Sequence, residues 1–345
     1  MKKCYTYDDV NIVPKYSEIE HRDKINISTR FTKNTELKVP IVSSPMDTIT
    51  GFEMAKALMS IGGVGVIHRF NSIEEQSLMM KKLYTYSTLS LKKPLCAAVG
   101  VTGDYLERAE ELVKNGCNVL LIDVAHGHHK LVGEAIEKIK TKLETIEVIA
   151  GSVATGDACE YLCENGADAI RVGIGNGSLC ETRIRTGVGI PTVSALIDCV
   201  AVADTYNTPV IADGGIRNIG DVCKGLACGA DSVMLGSLLS GTKETPGTIE
   251  KIGQWPNEML HKKYRGSASL DSKHDRGEDK NVEGNHKVIP YKGKVKRIIQ
   301  DIQDGIRSSF SYIGANDITE YHSKVELVQV TRAGNIEGKP HLLNT

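Results

Sequence analysis

No run of about 18 apolar residues occurs in the sequence, so nothing in it is suited to crossing a bilayer as a helix. The start, MKKCYTYDDVNIVP, lacks the apolar stretch of an export signal. A charge surplus is also missing: 42 Lys and Arg face 43 Asp and Glu, for a net charge of -1. Nucleic-acid binders carry a basic surplus or a basic face, so neither a nucleic acid nor a membrane is expected as a partner. Aromatic residues are scarce at 5%. The remaining composition, 41% hydrophobic and 25% charged, is near the globular average and excludes disordered, collagenous and disulfide-scaffold classes. Nine cysteines is an odd count in a chain with no export signal. They are expected as reduced thiols in a cytoplasmic protein. Glycine is abundant, at 34 residues. Many glycines with few aromatics suit a protein of repeated tight loops, such as an α/β barrel.

Eight short apolar runs recur, each followed by a helix-like stretch: Pro40–Ser43, Gly63–Ile67, Cys96–Gly100, Val119–Asp123, Val148–Gly151, Ala169–Gly173, Pro209–Ala212 and Ser232–Leu235. Most are continuous rather than alternating, as in strands buried on both faces. The segments between them carry helical periodicity, as in Tyr105–Asn115 and Asp157–Asn165. Both of these end at a glycine, a common helix C-terminus. A spacing of roughly 20–30 residues suits βα units. Eight units predict a (β/α)₈ TIM barrel, with residues 1–345 forming a single domain. Periodicity cannot show closure, so a doubly wound open sheet is the alternative. Two segments break the rhythm. Gly173–Thr192 is glycine-rich and too long for an ordinary βα turn, and Gly266–Gly293 is long, polar and charged. Both would lie at the C-terminal face, where barrel active sites sit. The second is expected to be a flap (266–293), and 325–345 an irregular C-terminal extension.

Three elements carry chemistry. In the loop GIGNGSLCETR, glycines at 173, 175 and 177 let backbone groups approach an anion or a cation. Ser178 can hydrogen-bond a phosphate, and Cys180 follows in a polar setting. A free thiol is most often a buried packing residue, and the other eight cysteines are read that way. In IADGGIR (211–217), Asp213 stands at a strand end before two glycines, where a carboxylate can take ribose hydroxyls and backbone N–H groups a phosphate. MLGS (234–237) follows the eighth run, and barrels often bind phosphate after strands 7 and 8.

YDDVNIVP near the start, VSSPMDT (42–48), DVAHGHH (123–129), VGIGNGSLCETRIRTGVGIP (172–191), IADGGIR, VMLGSLLSGTKETPG and KYRGSASL together resemble the IMP dehydrogenase/GMP reductase family, from about residue 5 to residue 316. The resemblance implies a barrel, usually a homotetramer, that works on purine nucleotides (GMP or IMP) through a catalytic cysteine. It implies that Cys180 attacks C2 of the purine. Ser178, Gly215, Gly236, Ser237 and Tyr264 would hold the 5′-phosphate and Asp213 the ribose. Ser44, Met46, Gly214, Gly266, Ser267 and Gly284 would complete the substrate site. Potassium would bind carbonyls of Gly175, Gly177 and Cys180.

The two family activities share a covalent intermediate at C2. The resemblance implies that a dehydrogenase passes hydride to NAD⁺ and then hydrolyses the adduct. A reductase expels ammonia from GMP and then accepts hydride from NADPH. The dehydrogenases carry a long flap with an Arg-Tyr pair to activate water. Here Ser269–Pro290 is too short for that flap, and its one arginine, Arg276, precedes Gly277. Only about 28 residues separate His68 from Cys96, so the paired CBS modules common between the second and third strands of dehydrogenases are absent. The favoured expectation is an NADPH-dependent GMP reductase; the alternative is an IMP dehydrogenase without CBS domains. In the reductase, Thr182 and Glu283 would form the proton relay that releases ammonia, because an amide-like amine leaves only when protonated. The cofactor would lie against Asp123, Val124, Ala125, Gly173 and Ile174. Arg69 is the candidate partner of its 2′-phosphate. Three residues depart from the family pattern: Asn176 for proline, Glu181 for threonine and Ser152 for asparagine. Asn176 is expected to loosen the loop, since no ring fixes φ there.

Overall fold

Strands buried on both faces need no polar alternation, and the eight apolar runs form eight such strands. They are β1 Ile41–Ser43, β2 Val64–Ile67, β3 Cys96–Val99, β4 Val119–Asp123, β5 Glu147–Val153, β6 Ala169–Val172, β7 Val210–Asp213 and β8 Ser232–Leu235. The computed structural model describes residues 1–88, 94–253, 257–274 and 282–339. Each strand pairs in parallel with its successor, and β8 returns to β1 with Met234 opposite Val42. The sheet is a closed barrel, which excludes the doubly wound alternative. Each strand leads to one principal flanking helix: α1 Phe52–Ile61, α2 Ile73–Ser87, α3 Tyr105–Lys114, α4 Lys130–Lys142, α5 Gly156–Glu164, α6 Thr192–Ala203, α7 Ile219–Ala227 and α8 Val295–Ile313. This is a (β/α)₈ TIM barrel.

Strand residues alternate between two apolar layers. Val42, Val66, Ala98, Leu121, Ile149, Ile211 and Met234 pack together in an inner cluster. Ile67, Val99, Leu120, Ile122, Val148, Ile170 and Val233 belong to the outer one, with Leu112, Ile136, Leu162 and Leu196 of the helices. Local sequence sets the helix ends. Ser72 and Glu75 form a capping box at the start of α2, and Thr155 caps α5. Just beyond α3 and α5 stand Gly116 and Gly166, at φ of 98° and 90°.

The hairpin Thr29–Arg30 with Glu36–Leu37 precedes β1. The N–H of Lys33 donates to the carbonyl of Asp168, just before β6, and that of Asn34 to Glu147 at the start of β5. The hairpin therefore sits at the N-terminal end of the barrel, where Phe31 and Leu37 join the inner cluster. Between β8 and α8 the chain forms a three-stranded antiparallel sheet: β9 Glu250–Ile252, β10 Met259–Arg265 and β11 His286–Pro290. Of the segment expected as flap (266–293), His286–Pro290 is strand and Leu270–His274 a short helix. The expected Arg276–Gly277 signature lies outside the described residues. The tail expected to be irregular is partly regular. Leu327–Gln329 pairs antiparallel with Val10–Ile12, and a helix covers Arg332–Glu337. Three-residue strands are too short to show a period, so the sequence pattern hid this one. Among the described residues, no helix is long and apolar enough to cross a membrane.

Phe31 is fully buried and far from the strand ends that carry function. Phe31→Ala should lower the unfolding free energy by about 3–5 kcal/mol, measured by urea denaturation, and leave nucleotide affinity by calorimetry unchanged. A loss under about 1 kcal/mol would show that the barrel floor does not depend on it.

Candidate active site

The loops leaving the C-terminal strand ends meet around a cleft of about 420 Å³. All the candidate site residues named from the sequence line it. The cysteine loop contributes Gly173, Ile174, Gly175, Gly177, Ser178, Cys180 and Thr182. The β7 and β8 loops contribute Asp213, Gly214, Gly215, Gly236 and Ser237. Ser44 and Met46 come from the β1 loop, Asp123, Val124 and Ala125 from the β4 end, and Arg69 from beyond β2. Tyr264, Gly266, Ser267, Glu283 and Gly284 come from the segment after β8.

Cys180 is half-buried on the loop between β6 and α6. Its Sγ lies 3.2 Å from Thr182 Oγ1, which donates to Glu283 Oε2 at 2.7 Å. The two-residue offset between Cys180 and Thr182 brackets the start of a short helix, Thr182–Thr186. Glu283 arrives from a distant part of the chain. Residues 283–285 run beside residues 179–181: the Glu181 N–H donates to the Glu283 carbonyl at 2.8 Å and the Asn285 N–H to the Leu179 carbonyl at 3.0 Å. The root of this segment is pinned to the β1 loop, where Arg265 donates to Asp47 Oδ2 from Nε at 2.9 Å and Nη2 at 2.6 Å.

An arginine missed in the sequence organises the other half of the cleft. Arg171 on β6 donates from Nη1 to Asp123 Oδ1 at 2.6 Å and from Nε to Asp213 Oδ2 at 2.8 Å. Its side chain is 13% exposed. Burial works against the guanidinium charge, but Asp213 and Asp123 outweigh it and raise the pKa above the usual arginine value. Gly151 on β5 makes room for the crossing, since a Cβ there would lie 2.7 Å from the Arg171 Cβ. In the sequence Arg171 is one letter inside an apolar run, with no motif around it. Arg69 extends the row: its Nε lies 3.6 Å from Asp123 Oδ2, and its Nη2 donates to the Asp123 carbonyl at 3.1 Å.

The glycine turns form the third part. Gly214 and Gly215 have φ of 86° and 77°, which only glycine adopts readily. The Gly215 N–H, expected to face a phosphate, instead donates to the Asn176 carbonyl at 2.7 Å. Among the described residues, the N–H groups of Gly236 and Ser237 donate no hydrogen bond. Free amides at the start of a turn suit an anion. Ser178 Oγ and Tyr264 Oη lie 3.0 Å apart beside them, and burial raises the Tyr264 pKa.

Removing the cation between two mostly buried carboxylates leaves Asp213 without its partner and Asp123 with Arg69 alone. Arg171→Met should therefore cost about 3–5 kcal/mol of stability in urea denaturation. A cost below about 1 kcal/mol would mean that solvent, not Arg171, stabilises the two carboxylates.

Comparisons with known proteins agree on one family. A model described as IMP dehydrogenase / GMP reductase domain matches residues 4–341. An inosine-5′-monophosphate dehydrogenase of Cryptosporidium parvum is 36% identical, with 98% of this chain and 95% of that protein covered. One of Nitrosopumilus maritimus is 32% identical, with 99% and 98% covered. Among solved structures, a cysteine-to-alanine variant of GMP reductase from Trypanosoma brucei, in complex with guanosine 5′-monophosphate, superposes with a TM-score of 0.92 at 28% identity, covering 99% of this chain and 98% of that one. With its closed barrel and a cysteine in the cleft, the chain belongs to the IMP dehydrogenase/GMP reductase family of purine-nucleotide oxidoreductases.

Proposed function

We propose that the protein is a GMP reductase, converting GMP to IMP and ammonia with NADPH in purine nucleotide interconversion. The observation that carries this reading is the row Cys180–Thr182–Glu283, which joins a nucleophile to a carboxylate through a hydroxyl. The Cys180 thiolate adds to C2 of the purine. The C2–N bond then breaks, and the amine leaves as ammonia with a proton supplied through Thr182 from Glu283. NADPH, when bound, supplies the hydride to C2. Expulsion of the Cys180 thiolate then frees IMP.

The remaining residues bind and orient. Both Asp213–Arg171 contacts use Oδ2, so Oδ1 is offered to the ribose hydroxyls. Ser178, Gly236, Ser237 and Tyr264 hold the 5′-phosphate, with Gly214 and Gly215 shaping the turn beneath it. Ser44, Met46, Gly266, Ser267 and Gly284 enclose the nucleotide. Asp123, Val124, Ala125, Gly173 and Ile174 face the nicotinamide, and Arg69 the 2′-phosphate. The potassium donors, carbonyls of Gly175, Gly177 and Cys180, are neutral oxygens of the kind that a hard monovalent cation accepts. One of them, Gly177 O, already accepts the Cys180 N–H at 3.0 Å, so a bound ion would hold that turn. The proposal includes a single-domain subunit, a homotetramer and a cytoplasmic setting.

A second reading is an IMP dehydrogenase, oxidising IMP to XMP with NAD⁺. It is favoured by the names of the relatives at 32–36% identity. Nicotinamide absorbance separates the two. GMP with NADPH should give turnover, and IMP with NAD⁺ should give little. The reverse pattern would replace the first reading by the second.

Glu283→Gln keeps size but cannot cycle a proton. It should slow ammonia release by about 10²–10⁴ while hydride transfer between IMP and NADP⁺ in the adduct-forming direction persists. Single-turnover measurements compare the two steps. Equal slowing of both, or of neither, removes Glu283 from the relay.

A further inference from the structure

Asn176 stands where the resemblance leads one to expect proline, and a looser cysteine loop was the expectation. The structure instead ties Asn176 down on two sides. Its carbonyl accepts the Gly215 N–H at 2.7 Å, and its side-chain Oδ1 accepts from Arg183 Nη2. The same arginine nitrogen donates to the Ile190 carbonyl. The Arg183 stem lies along the backbone: a Cβ on Gly175 would be 2.7 Å from its Cγ, and one on Gly189 2.7 Å from its Nε. A single guanidinium thus bridges both ends of the segment 176–190, which carries Cys180 and Thr182. Between them, Asn176 and Arg183 join this segment to itself and to the Gly214–Gly215 turn.

We propose that the Asn176–Arg183 clasp is a positioning device for Cys180, doing with hydrogen bonds at position 176 what a fixed φ would otherwise do. Neither residue touches the reacting atoms in this role. Both acceptors are met by one nitrogen, Nη2, whose two N–H groups are fixed in the guanidinium plane, whereas a lysine ammonium on a flexible stem fixes neither direction. Among the described residues, the Asn176 N–H donates no hydrogen bond, so a proline there would sacrifice none.

The proposal rests on the reading of Cys180 as the nucleophile, and the test separates the two. Full-length wild type, Asn176→Ala, Asn176→Pro and Arg183→Lys are compared for kcat, nucleotide KM and melting temperature. Asn176→Ala should lower kcat by about tenfold or more with a smaller change in KM, and Asn176→Pro should return kcat to within about threefold of wild type. Arg183→Lys should lower kcat by about tenfold, again with a smaller change in KM, at an unchanged melting temperature. Wild-type kcat in both Asn176→Ala and Arg183→Lys would overturn the clasp. A proline variant as impaired as the alanine variant would overturn it too. Should Asn176→Ala fail to fold, Arg183→Lys alone decides. Turnover retained in Cys180→Ala would instead refute the nucleophile reading, whatever the clasp variants do.

Discussion

One buried guanidinium sets the geometry of the cleft. Arg171 sits on β6 and holds the terminal carboxylates of β4 and β7 at once. The two carboxylates belong to opposite halves of the cleft, one facing the nicotinamide side and the other the ribose side in the proposed reaction. Because a buried charge is tolerable only when paired, the three groups constrain one another. The strand ends cannot drift apart without leaving a mostly buried charge short of its partner. Gly151 belongs to the same constraint, since a side chain on β5 would block the arginine's path.

Across the cleft the constraint is backbone rather than charge. Residues 283–285 lie along the cysteine loop and exchange main-chain hydrogen bonds with it. This placement brings Glu283 within reach of Thr182, and through it of Cys180. The Asp47–Arg265 pair fixes where the segment leaves the barrel, and its side chains are mostly shielded from water at 10% and 25% exposure. A general acid on a segment of this kind is set by a few hydrogen bonds, while the nucleophile is set by the loop after β6. A barrel can therefore keep its nucleotide-binding turns and change chemistry by altering only what the inserted segment delivers.

The tail and the N-terminus belong to the same economy of support. Val10–Ile12 pairs with Leu327–Gln329, and Asn335 donates to the Asp8 carbonyl at 2.9 Å. Asp8 in turn accepts from Arg217, and Tyr7 packs beneath Gly215, where a Cβ would lie 3.5 Å from its ring. The motif YDD and the last described residues thus lie behind the turn that follows β7, and hold it from the side away from the cleft.

Local composition by itself determined the eight strands, because a run buried on both faces must be continuously apolar. It also determined the helix ends at Gly116 and Gly166, and marked the loops that face the cleft, because glycine clusters after a strand free backbone groups to approach a ligand. Closure of the sheet was not in that pattern, since β8 meets β1 only when the accumulated tilt brings the first and last strands together. Arg171 was hidden because a single charge within an apolar run has no periodicity to mark it. Its role exists only where Asp123 and Asp213 arrive from other strands. The Gly215 amide looked free for a phosphate, yet Asn176 takes it, because the two loops touch only in the folded barrel. Thr182 and Glu283 stand 101 residues apart. Sequence could specify each side chain's chemistry, but their meeting is decided by tertiary packing, since hydrogen bonds select distances in space and not separations along the chain.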